Sequence, residues 1–147
     1  MTLRISQHIS YAEAIHTDTG LKNEPIDDDM IDTMRVTAFN VFEPVRVFFN
    51  VPIAVNSFFR SPEVNYKIHG ASSSQHMKGE AIDIDAHVYG GVTNKEIFHF
   101  IREHLTFDQL IWESGTDIEP NWIHVSFTEG ANRMQVLKMR NGIYWKI

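Results

Sequence analysis

Apolar residues recur at three- and four-residue steps through Met30, Ile31, Met34, Ala38, Val41, Phe42, Val45 and Phe49. This period predicts an amphipathic helix from about Asp28 to Phe49. Asp27, Asp28 and Asp29 sit at its start, where carboxylates favour the positive end of the helix dipole. A capped, solvated helix start is expected there rather than a calcium site. Pro44 lacks an N–H and is expected to break or kink the helix. Residues 1–26 show turn-like TDTG and KNEP but no clear period. Ile53 to Phe59 reads as a strand. Ser61-Pro62 then reads as an N-cap and first helical residue for a short helix over Glu63 to Ile68. The loop GASSSQHMKG leads into AIDID, whose alternation predicts a strand. Thr93 and Glu96 form a capping box for a helix carrying Ile97, Phe98, Ile101 and Leu105. FDQLIWE, NWIHVSF and RMQVLKM read as strands. Asn141-Gly142 signals a tight hairpin into a last strand, IYWKI. Helices early and antiparallel strands late define an α+β class, with helices packed on a small, mainly antiparallel sheet.

Composition narrows this picture. A chain of 147 residues predicts one domain over 1–147. With 43% hydrophobic and 12% aromatic residues it has the material for a packed core. Disorder, collagen and coiled coil are excluded. A net charge of −6 argues against a broad surface for nucleic acid or an anionic membrane. The absence of cysteine excludes disulfides, a thiolate zinc site and a cysteine nucleophile. The eight histidines are the soft ligands and near-neutral bases on offer. No run resembles a secretory signal or a membrane span, so the expected location is cytoplasmic as synthesised.

Three residues stand out chemically. His76 follows the serine-rich loop, Asp83 lies in AIDID, and His124 lies in NWIHVSF. Two imidazoles and one carboxylate suit a catalytic zinc that keeps a position open for water. Gly70 and Gly79 would let the backbone turn around such a site. By spacing alone the metal reading is the weaker one, against an unrelated loop histidine, a strand-end aspartate and a satisfied core histidine.

Several strings occur together and in order: FFRSPEVN, SSQHMKGEAIDID, FDQLIWE and NWIHVSF. Together they resemble the M15 peptidases, the zinc D-Ala-D-Ala carboxypeptidases and related peptidoglycan endopeptidases, phage endolysins included. Ser74 to Asp83 matches the pattern SxHxxGxAxD, and Trp122 to Ser126 matches WxHxS. Within that family the resemblance is to subfamily A, in its phage endolysin-type subgroup. It implies a hedgehog/DD-peptidase-like fold and a zinc ion (Zn2+) held by His76, Asp83 and His124. It implies hydrolysis of peptide bonds next to D-amino acids in peptidoglycan stem peptides. The expected protein is a monomer that reaches the wall after release, with no nucleic acid or membrane partner.

The resemblance also implies roles around the metal. Many relatives carry an acidic residue where this chain has Asn121, and others a histidine where it has Trp122. Neither can act as a base here, so Glu113 is the leading candidate, with Glu119 and Asp117 as alternatives. Arg60 is expected to grip a substrate carboxylate or a developing oxyanion. Ser74 and Gln75 are candidates for substrate binding or for shaping the loop. Asp85 is expected to support the site rather than ligate. His69 is a lesser candidate for substrate contact, and His8, His16, His87, His99 and His104 are expected at the surface or in packing. Trp112 and Trp122 are expected in the core or the cleft wall. Two rival functions remain: a catalytically weak wall-binding module, and a cytoplasmic D-Ala-D-Ala dipeptidase.

Overall fold

A computed structural model describes residues 3–147. Its elements are β1 (Arg4–Ser6), β2 (Ile9–Ser10), α1 (Tyr11–Ala14), α2 (Asp28–Val41), α3 (Glu43–Phe49), β3 (Ala54–Ser57), α4 (Pro62–Lys67), β4 (Ala81–Asp85), α5 (Asn94–His104), β5 (Gln109–Glu113), β6 (Trp122–Ser126), β7 (Gln135–Arg140) and β8 (Ile143–Lys146). A turn of 3-10 helix, Gln75–Lys78, precedes β4. The expected mixed architecture is present: a six-stranded sheet in the order β3-β4-β6-β5-β7-β8, and a two-stranded β1-β2 sheet. All neighbours in the large sheet are antiparallel except β5 and β7. Among the described residues, no helix is long and apolar enough to cross a membrane.

Caps and breakers act where their chemistry requires. Asp27 accepts a hydrogen bond from the Met30 amide at 3.0 Å and starts α2. The expected single helix divides at Phe42, because Pro44 in the first turn of α3 has no N–H to continue the ladder. Ser61 Oγ accepts from the Val64 amide at 3.2 Å to cap α4. Thr93 and Glu96 make the reciprocal capping box of α5. Asn141 and Gly142 both adopt positive φ, which matches the twist of a two-residue hairpin between β7 and β8. The segment before α2, where no period is visible, nevertheless holds β1, β2 and α1. Ile5, Ile9 and Ala14 there are buried against the core. Elements of two to four residues are too short to show a period.

One face of the large sheet makes the core. Ile82 and Ile84 of β4, Leu110 and Trp112 of β5, and Ile123 and Val125 of β6 are buried. They join Met34, Ala38 and Val41 of α2 and Ile97, Phe98 and Ile101 of α5 in one cluster. Because side chains alternate along a strand, the intervening residues face the opposite way. That second face carries Asp83, His124, Ile111 and Glu113.

Gly79 closes the 3-10 turn in the left-handed region, at φ +71°. A Cβ added there would lie 2.7 Å from Met34 Cγ, so the turn sits directly on α2. Gly79→Ala should lower unfolding stability by about 2 kcal/mol, from the backbone penalty and the contact together. Urea denaturation of the metal-free protein measures this.

Candidate active site

Register brings the candidate residues together. Asp83 of β4 is directly opposite His124 of β6, and His124 is opposite Ile111 of β5. His124 Nδ1 lies 3.0 Å from Asp83 Oδ1. His76 arrives on the 3-10 turn. Its Nδ1–H donates to the Phe58 carbonyl at 2.8 Å. This bond fixes the tautomer and leaves the Nε2 lone pair facing the site. His76 Nε2 is 3.3 Å from Asp83 Oδ2. A backbone bond from the Arg60 amide to the His76 carbonyl, 3.1 Å, ties this turn to the chain leaving β3.

One donor atom from each of His76, Asp83 and His124 lies within 4.8 Å of the other two. Burial works against ionisation of Asp83, yet the two imidazoles outweigh it and hold the carboxylate far below its ordinary range. The group is therefore an anion ready to ligate. Two imidazoles and a carboxylate form a donor set for a borderline-soft dication, so the cluster could hold a metal.

These residues lie in a cleft of about 760 Å³ that also includes Arg60, Glu113 and Tyr144. Glu113 of β5 is opposite Trp122 of β6, one pair along from Ile111 and His124. It is buried, at 6% exposure. Burial pushes its carboxyl up to about 7, with His124 opposing and Asp83 adding to the rise. Arg60 is half-buried, and its Nη1 donates to Asn65 Oδ1 at 3.1 Å. Gly70 leaves room for that contact, since a Cβ there would fall 2.0 Å from Asn65 Oδ1.

The other candidates separate. Ser74 lines the cleft, and its Oγ accepts from the His76 amide at 3.3 Å. Gln75 also lines it, but its Nε2 donates to Asp108 Oδ2 at 3.0 Å and Thr128 Oγ1 at 3.1 Å. His69 and Trp122 are cleft residues, whereas Trp112 is a core residue. Asp117 is outside the cleft, paired with Lys138 and Arg140 at 3.1 Å each. Glu119 accepts from the Asn94 and Lys95 amides at 3.0 and 2.8 Å, and His87 Nε2 lies against it. Its carboxylate thus serves the N-terminus of α5. Asp85 accepts from Asn94 Nδ2 at 3.0 Å and takes a structural place at the end of β4.

Sequence reasoning passed over Tyr144, Met139, Arg133 and Asp108. The first three line the cleft. Asp108 is buried and accepts from Arg133 Nη2 at 2.8 Å while holding Gln75. Arg133, Met139 and Tyr144 come to the site through the parallel β5–β7 pairing, which no local pattern announces, whereas Asp108 directly precedes β5.

The family model described as Peptidase M15 matches residues 7–126. No curated protein matches the chain.

The raised Glu113 carboxyl has a consequence for the metal-free protein. Between about pH 4.5 and 7 the folded state binds a proton at Glu113 that the unfolded state has released. Stability contributed by the protonated group is therefore lost as pH rises through that window. Relative to Glu113→Gln, the wild type should lose on the order of 3 kcal/mol between the two ends. The Asp83 contribution is lost only below the ordinary carboxylate pKa, outside this window. Urea melts of both proteins across pH 4.5–7.5 measure the difference; parallel curves would contradict it.

Proposed function

Since the chain belongs to the peptidase M15 family, we propose that it is a zinc-dependent peptidase that cleaves amide bonds next to D-amino acids in peptidoglycan stem peptides. Peptidases of this family are generally metal-dependent. The observation that carries the reading is the convergence of His76, Asp83 and His124 in a cleft that also holds one buried carboxyl, Glu113. The hedgehog/DD-peptidase-like fold is part of the same proposal.

In this reading His76 Nε2, His124 Nδ1 and an Asp83 oxygen hold the zinc. The bound ion supplies Lewis acidity that polarises the scissile carbonyl and makes water acidic near neutral pH. His124 Nδ1 must shed any proton it shares with Asp83 before it can ligate, so metal uptake is favoured by rising pH. Glu113 takes the proton from the attacking water and passes it to the leaving amine. Burial raises the proton affinity of this carboxyl and a bound dication would lower it, and a group placed between those two influences can accept and return a proton. Arg60 faces the same cleft as a cation held by Asn65 and would bind a substrate carboxylate or the developing oxyanion. Ser74 supports the His76 turn, and Gln75 braces it against Asp108.

Zinc-loaded protein should release new amines or D-alanine from purified peptidoglycan; wall binding without release would favour a binding module instead. His76→Ala should abolish stoichiometric zinc uptake, measured by metal analysis after dialysis. Glu113→Gln should retain zinc and lose turnover by about 10²- to 10⁴-fold, the scale of general acid–base catalysis. Retained turnover in that variant would remove Glu113 from the mechanism.

A further inference from the structure

Tyr144 lies on β8, outside the span matched by the family model. Glu113 is opposite Met139 in the parallel β5–β7 pair, and Met139 is opposite Tyr144 in β7–β8. Residues directly opposite one another share a face, so Glu113, Met139 and Tyr144 form a row across three strands. All three line the cleft. Among the described residues, no hydrogen bond is made by the Tyr144 hydroxyl. Tyr144 is 54% exposed, and partial burial together with the charges of Glu113 and Asp83 makes its phenol harder to ionise, so it remains a donor.

Two strand spacings separate Glu113 from Tyr144, about 10 Å along the sheet. An extended dipeptide measures about 7 Å. Arg60 stands on the other side of the His76–Asp83–His124 cluster, just beyond β3 at the opposite edge of the sheet. A substrate held at Arg60 that crosses the cluster and continues along the row for about two residues comes level with Tyr144.

We propose that Tyr144 is a specificity-determining residue whose hydroxyl donates a hydrogen bond to the backbone of an extended peptide substrate, beyond the residues flanking the cleaved bond. Leu137 and Met139 supply the apolar wall beneath that part of the chain. The inference rests on the peptidase reading for the position of the cleaved bond, but Tyr144 contact is measurable without turnover.

The test uses the stem pentapeptide L-Ala-γ-D-Glu-L-Lys-D-Ala-D-Ala and the dipeptide D-Ala-D-Ala. Each is titrated calorimetrically into zinc-loaded Glu113→Gln protein with Tyr144 intact or with Tyr144→Phe. The expected result is roughly tenfold weaker pentapeptide binding for the Tyr144→Phe protein, the scale of one hydrogen bond to a ligand. Dipeptide affinity, zinc content and melting temperature should not change. In the active background, kcat/KM for the pentapeptide should fall by a similar factor, mainly through KM. Equal pentapeptide affinity with and without the Tyr144 hydroxyl, equal losses for both ligands, or no pentapeptide binding at all would each overturn the inference. A Tyr144-dependent affinity in a protein that cleaves nothing would uphold it and overturn the peptidase reading alone.

Discussion

The pairing of β4 with β6 governs both the core and the site. Ile82 opposite Val125 and Ile84 opposite Ile123 are buried beneath the helices. The intervening pair, Asp83 and His124, must then face away from the core. A slip of one residue in either strand would put a carboxylate or an imidazole into the apolar layer and expose isoleucines to water. The burial of those isoleucines therefore holds the two polar groups in register. Hydrophobic packing fixes the register, and the site uses it.

This dependence explains what is legible along the chain. AIDID and NWIHVSF show their alternation locally, so the strands, their inward faces and the outward placement of Asp83 and His124 follow from the sequence. The turn bearing His76 is marked by Ser74 and Gly79. Its bond to the Phe58 carbonyl, which selects the ring tautomer, joins residues distant in sequence and has no local signature. Tyr144 is hidden for a related reason. Its strand is visible through Asn141-Gly142, but its neighbourhood depends on β7 running parallel to β5. Glu119 and Asp117 look like free loop carboxylates in the sequence, although one serves the start of α5 and the other pairs with two half-buried cations of β7.

The cleft treats its two acidic groups in opposite ways. Asp83 is flanked by two imidazoles and remains ionised despite burial. Glu113 lies two strands away from Asp83, on the far side of β6, with His124 as its opposing charge, and burial dominates. Environments that drive paired carboxyls apart are a general basis for dividing acid–base work between them. In the proposed peptidase this division would make Asp83 a ligand and Glu113 a proton carrier. Exchanging their roles would require moving both imidazoles: the β4–β6 register holds His124, and the turn bonded to Phe58 and Arg60 holds His76.

Preorganisation extends to the cation. Asn65 accepts from Arg60 and donates its own Nδ2 to the Ala71 carbonyl at 2.9 Å. The guanidinium is thus attached through α4 to the loop that carries Ser74 and His76. The Arg60 amide binds the His76 carbonyl in the same region, so cation and imidazole share one frame. Gly70 is part of that frame, because any side chain there would displace Asn65. A cation fixed before substrate arrives needs little reorganisation when negative charge develops beside it. Movement in this loop would shift Arg60 and His76 together, whereas Asp83, His124 and Glu113 stay with the sheet. The cleft therefore has one half built on paired strands and another carried by a braced loop, and the proposed substrate would bind between them.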